Sequence, residues 1–544
     1  MSRNVMNRSG LKLLSLTTLL GSLLGTLPAQ ANNVQWNAED TVETVILPVF
    51  NVDAEPESMA APTVDIESEL KTEPASVPDF ETDFETDFGN GEPMEPPFLP
   101  GLNTEATSEV DASPTLSQAI AAYNQGVRKY RAGDFDVAMV RFNEAIAAKS
   151  DYAEAYVFRA ATHIKLNDSA SALDDYIAAI NARPDYALAY FSRGALFYDM
   201  NEKVAAAEDF AQAIAIKSDY AEAHDYLGLT EAAMGNYEGA LTHYTASLEA
   251  NPTYAPAFMH KGAALIELEE YDAAVIQLTN AIDNSKNYAE AFLNRGVAYY
   301  HLGTHPAALQ DLNKAIALDS NSSEAFFNRS YVYSALGRPN DALADINTVL
   351  TRQPNSIEAY MARGSLYSAQ GNNTAAIADF NRVIELDVES SEAYKQRAIA
   401  QIGNDNITDA LSDYDSAVNL NPVDEDIYKG RADAYAIYGN LPAAIEDYTY
   451  AIELDNSYSA AYAARGRALY ESGDARGAYQ DFSNIIRQNP SIASADVYYY
   501  RGLTLIAIGD TFAAHSDLQT AAERYLADGS ADGYRAVLDR MRKL

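Results

Sequence analysis

Apolar residues recur along this chain at spacings of three and four, in short blocks that themselves repeat. The stretch 289–322 reads AEAFLNRGVAYYHLGTHPAALQDLNKAIALDSNS, with large side chains at Phe292, Tyr299 and Leu312 and small ones at Gly296, Ala308 and Ala315. This spacing predicts two amphipathic helices. Gly303, between them, suits the left-handed residue that ends the first helix, and Pro306 falls in the first turn of the second, where its missing N–H is harmless. In the expected antiparallel pair, Gly296 and Ala308 lie at similar heights and let the backbones approach, while Phe292 and Leu312 fill the wider space. Such a unit cannot bury its apolar stripe alone and needs copies stacked on it.

The copies are present. The Gly296 position recurs every 34 residues as Gly126, Ala160, Gly194, Gly228, Gly262, Gly296, Ser330, Gly364, Ala398, Ala432 and Gly466, and a last step of 36 reaches Gly502. The Ala308 position is alanine in all twelve units, from Ala138 to Ala514. Glycine stops the first helix in eight of them, and Asn167 and Asn201, which tolerate the same conformation, in two more.

This pattern resembles the tetratricopeptide repeat (TPR), met here by Phe292, Gly296, Tyr299, Ala308, Leu312 and Ala315 and by closing prolines at Pro184, Pro252, Pro354, Pro422 and Pro490. Most copies carry arginine where the usual pattern has leucine, giving repeats of the Asn-Arg-Gly type. The resemblance implies an all-α, right-handed superhelical solenoid of about twelve helix-turn-helix repeats spanning 114–528. A capping helix is expected over 529–544, beginning after Gly533, with Tyr534, Val537, Leu538 and Met541 on one face.

The arginines carry further information. Arg159, Arg193, Arg295, Arg329, Arg363, Arg397, Arg431, Arg465 and Arg501 share one repeat position, and sixteen residues later stand Asp175, Asp209, Asp311, Asp345, Asp379, Asp413, Asp447, Asp481 and Asp517. The three repeats with Gln125, Leu227 or Lys261 in place of the arginine also lack the aspartate, having Arg141, His243 or Gln277. Independent surface charges would not vary together. The expectation is nine structural ion pairs joining facing helices.

The amino terminus departs from the pattern. Arg3, Arg8 and Lys12 precede an apolar run from Leu13 to Leu27 and a small-residue site Ala29-Gln30-Ala31, which reads as a secretory signal peptide over 1–31. The run is too short and too interrupted to span a bilayer. Residues 32–113 hold twenty acids against one base, Lys71. With abundant Pro, Ser and Thr, this reads as a disordered acidic arm, a solubilising linker first, and as the alternative a spacer or docking tail with Phe80, Phe84 and Phe88 of FETDFETDF as sticky points. The whole chain carries −40, which disfavours nucleic acid and anionic membranes as partners. It has no cysteine, so an exported form would be held by packing alone.

No phosphate loop, metal-ligand motif or nucleophile motif is present, so neither catalysis nor a cofactor nor a metal site is expected. The resemblance implies an exported, periplasmic or secreted scaffold holding a protein or peptide segment in a concave groove lined by the first helices. A subunit of an envelope polysaccharide export or assembly system is the alternative. Carried onto this chain, the ligand-contacting positions give an apolar floor of Met259, Leu293, Val297, Tyr300, Phe327, Tyr331 and Met361. Glu290, Glu324 and Glu358 give an acidic edge. Such a groove would take an apolar segment with basic flanks. Lys395 and Lys429 stand beside Ile399 and Asp433, so the lysine-asparagine carboxylate clamp of chaperone-type arrays is not expected.

Overall fold

The computed structural model describes residues 114–488, 490 and 493–544. The expected signal peptide and acidic arm, over 1–113, lie outside the described residues. Twenty-five helices, and no strand, are found among the described residues. They run as pairs: α1 Pro114–Arg131 with α2 Phe135–Ala148, α3 Ala153–Lys165 with α4 Ser169–Ala182, α5 Ala187–Asp199 with α6 Lys203–Ile216, α7 Ala221–Ala233 with α8 Tyr237–Ala250, α9 Ala255–Glu267 with α10 Tyr271–Asn284, and α11 Ala289–His301 followed by α12 His305–Leu318. The series continues with α13 Ser323–Ala335 and α14 Pro339–Arg352, α15 Ile357–Ala369 and α16 Asn373–Leu386, α17 Ser391–Ile402 and α18 Ile407–Leu420, α19 Glu425–Tyr438 and α20 Leu441–Leu454, α21 Ser459–Ser472 and α22 Ala475–Gln488, α23 Ala495–Ile508 and α24 Thr511–Ala527, and α25 Ala531–Met541.

The chain forms two compact units. The first runs to Gly303 and includes 317–322; the second comprises 304–316 and 323–544. Within each unit, helices pair into hairpins, and each second helix packs on the first helix of the next hairpin. Each unit is therefore a stack in which a repeat leans mainly on its neighbours.

The turn between paired helices has one conformation throughout. Its key residue has positive φ in all twelve repeats, whether Gly303 (φ 70), Asn167 (φ 60) or Asn201 (φ 62). Glu269 (φ 62) and Asp405 (φ 61) adopt it as well, although their side chains disfavour it.

The invariant alanines are completely buried at every copy. The glycines also make room for a side chain from the facing helix. A Cβ on Gly364 would lie 2.6 Å from the Phe380 ring, and one on Gly228 would lie 2.6 Å from the Tyr244 ring. The glycine thus receives the large side chain sixteen residues later, and at Gly502 the Ala514 carbonyl oxygen also lies 3.5 Å from where a Cβ would stand. Phe142, Phe210 and Phe380, each with no exposed surface, fill the interior this way.

The last helix begins at Ala531, three residues before the expected start at Tyr534. Gly533 lies inside it because a Cβ there would meet the Tyr525 ring at 2.5 Å, so the helix can approach α24 closely. Val537 is buried in the last cluster, with Tyr534 and Met541 packed against it. Leu538 is only half-buried.

Candidate functional site

The shared arginine and aspartate meet on facing helices. In the first unit Arg159 holds Asp175 and Arg193 holds Asp209; in the second the pairs are Arg329–Asp345, Arg363–Asp379, Arg397–Asp413, Arg431–Asp447, Arg465–Asp481 and Arg501–Asp517. Each is bidentate, with Nε and Nη2 on the two carboxylate oxygens; for Arg329 both bonds are 2.7–2.8 Å. Arg295 belongs to the first unit and Asp311 to the second.

The guanidinium reaches further than the aspartate. Its Nη1 donates to the preceding repeat, at Asn143 from Arg159, Asn313 from Arg329, Asn347 from Arg363 and Asn381 from Arg397. It also lies over an aromatic ring of its own helix, as Arg363 does over Tyr360 at 5.4 Å. One side chain therefore ties helix to helix and repeat to repeat. Hydrogen bonding to the aspartate raises the arginine pKa, as at Arg363.

The repeats without this pair are joined differently. Asp225 of α7 has no exposed surface, and Nδ1 of His260 on α9 lies 2.9 Å from its Oδ1. Lys261, which replaces the arginine, still donates to Thr245 of the preceding repeat at 2.9 Å. His224 and His243, facing each other in one repeat, stand 6.3 Å apart between ring centroids. Among the described residues no group of three or more His, Cys, Asp or Glu is placed to hold a metal, and no helix is long and apolar enough to cross a membrane.

The expected apolar floor is not a floor. In the first unit Met259, Leu293, Val297 and Tyr300 are at most 9% exposed, and in the second Phe327, Tyr331 and Met361 are at most 3% exposed. Stacking consumes these side chains, because the same first-helix face that would meet a ligand also meets the neighbouring repeat. The acidic edge fares differently: Glu290 in the first unit and Glu324 and Glu358 in the second are half-buried. Among the described residues Glu324 has no ion-pairing cation, and burial pushes its carboxyl pKa up to about 7. Lys395 and Lys429, by contrast, are held by Glu392 at 2.8 Å and Asp433 at 2.9 Å.

Two asparagines lie beneath this edge. Asn328, 2% exposed, donates its Nδ2 to the Glu324 carbonyl at 3.0 Å, while its Oδ1 has no hydrogen-bond partner among the described residues. Asn294 occupies the same repeat position in the first unit, and its Oδ1 is likewise without a donor. Buried acceptors of this kind destabilise the fold by about 1–3 kcal/mol each. Sequence reasoning missed them, although the recurrence of Asn-Arg in Asn294-Arg295 and Asn328-Arg329 was signal enough.

A tetratricopeptide repeat profile matches residues 159–222, 261–323, 327–390 and 395–459, and a second matches 221–254. The chain belongs to the tetratricopeptide repeat family. Among solved structures, this TPR protein is similar to one from Parabacteroides merdae, also a tetratricopeptide repeat protein, at 20% identity over 45% of this chain and 97% of that one, with a TM-score of 0.37. Yeast Tom70 is similar at 17% identity over 78% and 96%, with a TM-score of 0.38. YrrB, a TPR protein with an unusual peptide-binding site, is similar at 24% identity over 34% and 95%, with a TM-score of 0.29. At these scores the three carry no argument about what this TPR chain does. No curated protein matches it.

Proposed function

We propose that this TPR chain is an exported, non-catalytic scaffold that holds an extended protein segment on the first helices of its second unit. The observation that carries the reading is Glu324, a half-buried carboxyl that burial pushes up to about 7 and that has no cation beside it among the described residues. A lysine or arginine suits it, so a segment with basic side chains fits this edge. The burial of Phe327 and Met361 shifts the expected recognition from apolar contact toward charge and hydrogen bonding. Export rests on the basic, apolar and small-residue succession of residues 1–31.

The test is a screen of the full mature chain against arrays of lysine- or arginine-bearing peptides, the same peptides with glutamate substituted, and oligosaccharides. The basic peptides should bind, and less tightly as salt rises. Equal capture of the glutamate peptides, or capture of oligosaccharides alone, would overturn the reading.

A further inference from the structure

The first repeat differs from the rest in length and in charge. Helix α1 has 18 residues, against 13 for α3 and α5, and its additional N-terminal turn carries Leu116. With Ile120 one turn on, Leu116 walls a cavity of about 300 Å³ whose rim carries two cations, Lys149 and Arg183, and two carboxylates, Asp151 and Glu154, beside Tyr152. The two cations sit on aromatic rings. Lys149 Nζ is 5.0 Å from the Tyr152 ring centre, and the Arg183 guanidinium is 3.5 Å from that of Tyr186. Arg183 also spends one N–H on Glu154 at 2.7 Å.

Charge is distributed unevenly along the chain. Residues 114–183 hold eight bases and eight acids, whereas residues 184–544 hold 26 bases and 50 acids, a net −24. Residues 32–113 carry −19. Most of the array therefore repels that acidic stretch, and the first two repeats are the neutral exception. The acidic stretch joins α1 directly, and a short tether gives its side chains an effective concentration near millimolar at the cavity. Its FETDFETDF run, Phe80 to Phe88, alternates rings with carboxylates, and the cavity offers aliphatic walls for a ring, with Lys149 and Arg183 balanced at the rim by Asp151 and Glu154.

We propose that the Phe80–Phe88 run docks in cis into this cavity, a ring against Leu116 and Ile120 and flanking carboxylates beside Lys149 and Arg183. The contact masks the first repeat from outside partners and holds the acidic stretch away from the remaining repeats. It stands apart from the peptide-binding reading, which concerns the second unit.

The absence of native cysteine makes the test clean. Spin labels are placed on Thr86→Cys and on Gln118→Cys, which is exposed on α1, in the full mature chain, and their separation is measured by pulsed electron resonance. A freely moving tether of this length gives a broad distribution centred near ~30 Å. Docking predicts a narrow population well below that, abolished by Phe80→Ser, Phe84→Ser and Phe88→Ser together and diminished by Lys149→Glu. A broad distribution in the parent chain would overturn the proposal, as would a narrow one that survives the serine substitutions. So would a narrow one that disappears on dilution with unlabelled chain, which would place the contact between copies.

Discussion

Arg363 and Asp379, sixteen residues apart on facing helices, are locked by two N–H···O bonds of 2.8 and 2.7 Å. Asp379 is 5% exposed, so removing the arginine leaves a nearly buried carboxylate without its partner. The bonded neighbour Asn347 loses its contact at the same time.

Arg363→Ala should therefore cost ~2–3 kcal/mol, below the 3–5 of a fully buried pair and above a surface pair. Urea unfolding gives the total. Hydrogen exchange should place the loss in α14 to α16, because an array loses stability locally. A change under ~0.5 kcal/mol would mean the pair acts as an exposed one.

Glu269 carries the positive φ that glycine supplies in eight of the other eleven turns. Glu269→Gly removes a left-handed penalty of about 1–2 kcal/mol, offset in part by glycine's greater freedom in the unfolded chain. The net expectation is a stabilisation of ~0.5–1 kcal/mol, read as a raised urea midpoint. Asp405→Gly should behave alike, and a lowered midpoint in both would contradict the account of the turn.

Two groups make the array weaker as pH rises. The Glu324 carboxyl titrates at about 7 in the folded chain against an ordinary value of 4.5, so the fold favours its protonated form. The stability it confers is present below pH 4.5 and is lost as pH rises toward 7. His260, buried against Asp225 and facing Glu290, has its pKa raised; its contribution is present below pH 6.5 and is lost as pH rises through the raised value. Glu324→Gln should flatten the pH dependence of exchange in α13, and His260→Asn that in α7 to α9. Unchanged profiles in either variant would contradict the corresponding assignment.

The fold was legible in the sequence to the level of single residues. The 34-residue period fixed the helix pairs, and the joint loss of arginine and aspartate in three repeats pointed to their contact. At Gly364 a one-dimensional pattern shows that a residue is small without showing that the Phe380 ring fills the space beside it. The candidate site was legible only in part. Position in the repeat placed Phe327 and Met361 on the first-helix face, but that face also packs on the next repeat, and burial follows from stacking that no single repeat encodes. Asn328 is marked in the sequence by the recurring Asn-Arg, but that its acceptor lacks a donor is a property of three-dimensional surroundings.

It follows that Phe327→Ala and Met361→Ala act on stability first. Each should cost roughly 2–5 kcal/mol through the cavity it leaves, readable as a lowered unfolding midpoint with or without ligand. If both variants keep the parent midpoint, the side chains are not core.

The most direct test of the central claim is proton release on binding. At pH 6.5 the free chain holds Glu324 largely protonated, given its pKa of about 7. A lysine or arginine seated beside it lowers that pKa and expels the proton. Calorimetry of the full mature chain with one lysine-bearing peptide, in two buffers of different ionisation enthalpy, should report release of up to about three-quarters of a proton per peptide bound. Glu324→Gln should abolish the release and weaken binding roughly tenfold, about 1.4 kcal/mol. Tight binding with no buffer dependence, or the same release from the glutamine variant, would contradict the claim that Glu324 receives the ligand's positive charge.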